Sequence, residues 1–286
     1  MKNGRENIIS QIIYFVIAMI LFGVLFWLTF PDRQGELERT TFPVVVMGDS
    51  IVGQNRDKSS VPGQLEELLG TPVYNGAFGG TCLAMQQDVD NNYASDMLNM
   101  VSLSKAIAAD DFGVQQTVRS RKEITDYFGY VVDELECVDF NQVEVLVIAF
   151  GINDYHAAIS LDNEQDPMDE FTFGGALRSV LSTLKRRYPN MKIVLATPTY
   201  AWYRGQNMTC EEYNTGSVYL EEYVEKEIEI AEEFDVEIVD LYHNVYPHEK
   251  WEDWAVYTED GIHPNEQGRI LLAEKLAEAI KKLGEE

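Results

Sequence analysis

The sequence predicts an α/β fold: a mostly parallel five-stranded sheet covered on both faces by helices, with one transmembrane helix ahead of it. Three observations predict it. Apolar runs of strand length alternate with helical stretches from residue 44 onward, the pattern of a parallel sheet whose crossovers are helices. The runs 44–47 and 143–150 are almost continuously apolar, as a strand buried on both faces requires. The stretch 12–30 carries no charged residue, and as a helix it would run about 28 Å, close to the hydrocarbon thickness of a bilayer.

Residues 1–11 form a short tail with Lys2 and Arg5. The apolar stretch 12–30 reads as a retained anchor, with Trp27 near one end, where an interface holds aromatic rings. It ends in Leu28-Thr29-Phe30-Pro31 instead of the small residues of a signal-peptide cleavage site. The slight basic bias of the flanks places the N-terminus in the cytoplasm and the rest of the chain outside it. Residues 31–41 read as a polar stalk and 42–286 as one domain.

In that domain, 44–47 is a buried strand, and 61–69 a short helix stopped by Gly70 and Pro72. A short strand follows at 73–75. The interval 81–142 reads as a helical insertion, with helices at 94–109 and 117–138 that either cap a site or extend the core. The strongest strand is 143–150. Helical periodicity with a basic last turn marks 173–187, and Tyr188-Pro189-Asn190 ends it. A strand at 192–197, an acidic amphipathic helix at 218–234, a strand at 237–241 and a closing helix at 266–283 complete the series.

Apolar residues make up 45% of the 286-residue chain and charged residues 24%, which supports a true core and argues against disorder. With 48 acidic and 22 basic residues the net charge is −26. That excludes nucleic acid as a partner, because phosphate binding needs dense positive charge. Cys82, Cys137 and Cys210 allow one disulfide and one free thiol, with no metal-binding spacing.

Four short blocks carry chemistry. Gly48-Asp49-Ser50 closes the first strand and sets a serine hydroxyl at the sheet's carboxyl edge, where ligands of such sheets bind. Asn75-Gly76-Ala77-Phe78-Gly79-Gly80 follows the second strand, and its glycines let backbone N–H groups approach a ligand. Gly151-Ile152-Asn153-Asp154 follows the third strand, where Asn153 either donates to an oxyanion or caps a turn. Asp260-Gly261-Ile262-His263-Pro264 precedes the last helix and can set a carboxylate against an imidazole.

In this order and on these elements, the four blocks resemble the SGNH hydrolase superfamily, the GDSL esterases and lipases, from about residue 44 to the C-terminus. Ile51 stands where the GDSL name expects leucine. The resemblance implies a three-layer αβα domain with a flavodoxin-like sheet. It implies Ser50 as nucleophile, His263 as general base and Asp260 as the residue that orients His263. The N–H groups of Ser50 and Gly80 and the side chain of Asn153 would hold the oxyanion. It implies no cofactor and no metal.

Tyr200, Trp202 and Tyr203 follow the fourth strand, and Trp251 and Trp254 precede the Asp260 loop. Tyr200, Trp202 and Trp254 are candidate substrate contacts for a sugar or acyl chain; the plain alternative is that they pack loops over the sheet. His156 reads as a loop histidine near the site. His243 and His248, beside Glu249 and Asp253, are too loosely spaced for a metal site. The expected activity is hydrolysis of O-acyl esters, including O-acetyl, on a carbohydrate or cell-envelope substrate. The alternatives are acyl transfer to glycans by the same triad and an inactive glycan-binding protein.

Overall fold

Five of the predicted apolar runs pair into one sheet. The computed structural model describes residues 38–86, 97–120, 127–216 and 218–285, and Thr40–Glu286 forms one compact unit. In chain order, β1 (Val44–Gly48) leads into the one-turn helix α1 (Ser50–Gly53), then α2 (Val61–Leu69) and β2 (Val73–Asn75). Next come α3 (Met100–Ala109), a 3-10 turn (Gln115–Ser120) and α4 (Tyr127–Cys137). β3 (Val145–Ala149), α5 (Ile152–His156), α6 (Phe173–Arg187) and β4 (Lys192–Ala196) follow. A small hairpin pairs β5 (Trp202–Tyr203) with β6 (Met208–Thr209). The chain ends with α7 (Leu220–Phe234), β7 (Glu237–Val239), α8 (Trp254–Tyr257) and α9 (Glu266–Leu283).

The sheet order is β2-β1-β3-β4-β7, every pair parallel. Counting its own strands alone, this is 2-1-3-4-5, the flavodoxin-type order, whose ligand crevice lies where β1 and β3 diverge at their carboxyl ends. Every residue of β1 and β3 is buried, because helices cover the sheet. α2 packs on α9, while α3 packs on α6 and α6 on α7. Thr172 caps α6 and Asn265 caps α9, each accepting an N–H three residues on.

The described part of 81–142 supplies core residues: Leu103 and Ile107 of α3 and Phe128 and Val132 of α4 lie in the same apolar cluster as the strands. All three cysteines are free, so the disulfide allowed by the sequence does not form. Cys82 and Cys210 are buried apart, their sulfurs hydrogen-bonded to Gln86 and Tyr242. Burial pushes the Cys210 thiol up to about 11 and that of Cys82 higher. The anchor at 12–30 and the greater part of the stalk lie outside the described residues. Among those described, no helix is long and apolar enough to cross a membrane.

Candidate active site

The first block folds as a strand that turns at once into a helix. Asp49 caps α1, accepting the Ile51 N–H at 2.9 Å. Ser50 is the first helical residue, so its N–H has no acceptor within the helix. Asp49 is 1% exposed. Burial lifts its carboxyl to about 7, against the Ile51 hydrogen bond and with the help of the nearby Asp154 charge.

The last block brings its histidine to that serine. Asp260 Oδ1 accepts the N–H groups of Ile262 and His263 at 2.9 and 2.8 Å, which bends the chain. Its Oδ2 meets His263 Nδ1 at 2.8 Å, and His263 Nε2 lies 3.0 Å from Ser50 Oγ. Partial burial raises the Asp260 carboxyl, but the His263 ring and the two N–H groups outweigh it and hold it below the ordinary carboxylate range. Arg269 at the start of α9 anchors the loop, donating to the carbonyl oxygens of Pro264 at 2.8 Å and Ser59 at 2.7 Å.

The middle blocks are tied to the first. Gly76 and Phe78 donate to the carbonyls of Val46 and Gly48 at 2.9 Å each, so the glycine-rich turn runs beside β1. Tyr127 Oη accepts the Gly79 N–H at 3.1 Å. Gly80 follows, exposed and in the left-handed region with φ 77°. Asn153 Nδ2 donates to Thr81 O at 3.0 Å and to Asp49 Oδ2 at 3.3 Å. Asp154 is fully buried and accepts the N–H groups of Leu83 and Ala84 at 2.9 Å each. Burial raises it to about 6, against those hydrogen bonds.

A serine hydroxyl, an imidazole and a carboxylate in series fit acyl chemistry, and the sequence profile that covers them agrees. The profile of the GDSL-like Lipase/Acylhydrolase family matches residues 46–269. The chain belongs to the GDSL-like lipase/acylhydrolase family. It is accordingly a serine hydrolase acting on ester bonds. Solved structures share the fold. A protein from Lactobacillus plantarum is 17% identical with a TM-score of 0.60, over 85% of this chain and 99% of that one. A possible lipase from Chitinophaga pinensis is 18% identical with a TM-score of 0.54, over 85% and 98%. No curated protein matches.

Not every residue singled out in this acylhydrolase reaches the site. Tyr200 and Trp202 are 1% and 0% exposed and pack the core, so they are not substrate contacts. Tyr200 stacks on His248 with centroids 4.0 Å apart and meets Trp202 edge-on at 4.9 Å. Trp254 is only partly buried and lies under the Arg204 guanidinium, 3.8 Å from its ring centroid. His243 repeats the Asp-x-x-His spacing with Asp240 at 2.9 Å, but its Nε2 faces Glu221 at 3.3 Å and no serine. Among the described residues no His, Cys, Asp and Glu group is arranged to hold a metal.

Sequence reading missed three contributors. Tyr127 is one of several aromatics in a weakly patterned interval. Arg269 looks like an ordinary helix cation until its burial is seen. Tyr203 reads in sequence only as one more aromatic after a strand, yet its hydroxyl lies 2.9 Å from His156 Nε2. His156 is itself exposed; desolvation of its ring by the neighbouring groups, and next the charge of His263, hold it below the ordinary imidazole range.

Proposed function

We propose that the chain is a serine esterase that cleaves O-acyl esters through an acyl-Ser50 intermediate. The observation that carries this reading is the continuous line from Asp260 Oδ2 through both His263 nitrogens to Ser50 Oγ, at 2.8 and 3.0 Å. With Nδ1–H held by Asp260, Nε2 is the acceptor, a tautomer assigned from the hydrogen bonds. Ser50 Oγ attacks the ester carbonyl while its proton passes to His263 Nε2. Asp260 stabilises the imidazolium. The tetrahedral oxyanion sits on the N–H groups of Ser50 and Gly80 and the amide of Asn153. Each such donor contributes about 10²–10³ in turnover. Asn153 serves by releasing its longer contact, the one to Asp49.

The intermediate collapses as the leaving alkoxide takes the proton from His263. Water then gives its proton to His263 and attacks the acyl carbonyl. Ser50 leaves with that proton, and the free acid departs. A fluorophosphonate probe tests the reading without the natural ester. It is expected to label Ser50 in the native protein and to fail on Ser50→Ala and His263→Ala; no labelling of the native protein refutes the reading.

The substrate we propose is an O-acyl, including O-acetyl, ester of a carbohydrate or cell-envelope polymer. The uncharged stretch 12–30 supports a membrane anchor with the catalytic domain outside the cytoplasm. Protease treatment of intact cells tests the orientation: digestion of the domain is expected, and full protection refutes it. Incubation with an acyl donor and candidate glycan acceptors tests hydrolysis. Free acid alone is expected, and acylated glycan would mark a transferase.

A further inference from the structure

The hairpin after β4 lies against the catalytic loop. Trp202 donates its backbone N–H to Gly261 O at 2.8 Å. The next residue, Tyr203, reaches His156, one helical turn beyond Asn153. The residue after that, Arg204, turns outward. Its Cγ would be 3.3 Å from a Cβ at Gly261, so the stem packs on the loop that carries His263. Its guanidinium lies over the Trp254 ring at 3.8 Å. The residue is exposed, and among the described residues its side chain has neither an ion pair nor a hydrogen bond.

Acidic residues outnumber basic ones 48 to 22. Several arginines have acids in reach, whereas Arg56 and Arg187, like Arg204, lie over aromatic rings, although those two also donate to Asn75 and Asn141. Arg178 meets Asp162, Glu229 and Glu233. Arg119 pairs with Asp133, and Arg269 lies 3.5 Å from Glu259. Arg204 is instead held by an aromatic face, which leaves its in-plane N–H donors free for a bidentate acceptor.

We propose that Arg204, seated on Trp254 at the edge of the catalytic loop, binds an anionic substituent of the ester substrate, a carboxylate or a phosphate on the alcohol being deacylated. This rests on the esterase reading and names the substrate class within it. The overall field of the protein repels anions. An acidic ester therefore gains from a local cation, and Arg204 supplies one through its contact with Gly261, which adjoins Asp260 and lies two residues before His263.

The test compares substrates that differ only in charge: an O-acetylated glucuronoside and its neutral carboxamide. A second pair, acetylglycerol with and without a phosphate, separates a carboxylate-bearing alcohol from a phosphate-bearing one. At low ionic strength the wild type is expected to favour at least one acidic ester in kcat/KM by about two- to fivefold, the range of an exposed ion pair. The difference should lie in KM and fade at high salt. Arg204→Met keeps the stem on Gly261 and is expected to bring the acid-to-neutral ratio to one or below; Arg204→Lys keeps part of it. A residue that merely braced the loop would slow acidic and neutral esters alike and leave the ratio intact. An unchanged ratio in Arg204→Met, or no acid preference in the wild type, overturns the proposal. Calorimetric titration of Ser50→Ala with the same compounds reads the charge preference without turnover. If no ester is cleaved, the esterase reading fails. The subsite is then judged by titration: tighter acid binding supports it, and equal or absent binding overturns it.

Discussion

Trp202 donates its backbone N–H to the carbonyl of Gly261 at 2.8 Å, fastening a buried aromatic residue to the loop between Asp260 and His263. The approach is close enough that a Cβ on Gly261 would stand 2.1 Å from the Trp202 carbonyl oxygen, and Gly261 has φ 102°. Gly261→Ala therefore meets both a clash and a backbone penalty, the latter of about 1–3 kcal/mol. The expected outcome is a lowered Tm and a loss of fluorophosphonate labelling at Ser50, since His263 moves with the loop. Wild-type labelling kinetics would show that the loop absorbs the change.

Asp260 and His263 are expected to be unequal. His263→Ala removes the only proton acceptor beside Ser50 Oγ among the described residues. Asp260→Asn leaves the imidazole in place but loses the ionic partner of Nδ1. Steady-state hydrolysis of a short acyl ester should fall further in His263→Ala than in Asp260→Asn. The reverse order would deny His263 the role of base.

The buried acids give stability a pH dependence with a defined sign. Asp49 and Asp154 rise from 3.8 to about 7 and about 6, burial being the main cause. Both keep a proton in the folded protein after the unfolded chain has lost it. Their contribution is complete below about pH 4 and is lost as pH rises through these values. Asp49→Asn retains an acceptor for the Ile51 N–H and cannot ionise. Its Tm should decline less than that of the wild type between acidic and neutral pH; parallel profiles contradict the assignment.

Tyr127→Phe removes the hydroxyl that accepts the Gly79 N–H. One hydrogen bond of this kind contributes about 1 kcal/mol. The turn next to Gly80 loosens, and turnover is expected to fall several-fold with a smaller change in KM. Unaltered turnover would make Tyr127 a packing residue alone.

Thiol accessibility follows burial. Cys137 is partly exposed, whereas Cys82 and Cys210 are buried. A thiol reagent should modify Cys137 first in the native protein and all three cysteines after unfolding. Rapid native modification of Cys82 would mean that its surroundings open.

The sheet was legible because β1, β3 and β4 are runs dominated by Val, Ile and Leu, and glycine-bearing blocks close the first two. Ser50 and Asn153 were legible because short blocks at strand ends carry them, and Asp260 and His263 because one short block before the last helix does. The hairpin Trp202–Thr209 was not, since two-residue strands leave no periodicity to read. Tyr200 and Trp202 misled for a related reason. An aromatic residue after a strand looks the same in sequence whether it faces a cleft or, as here, turns inward onto His248 and Tyr246.

Both margins of the sheet are brief: β2 spans Val73–Asn75 and β7 spans Glu237–Val239. A neighbouring polypeptide seeking to extend the ladder finds at most three residues on either side, and at β2 the Val73 N–H is already donated to Glu66 while the Asn75 carbonyl already accepts from Arg56. Such stunted borders offer little template for strand addition between molecules. Edge-to-edge joining of copies into continuous cross-molecule sheets is disfavoured at both borders.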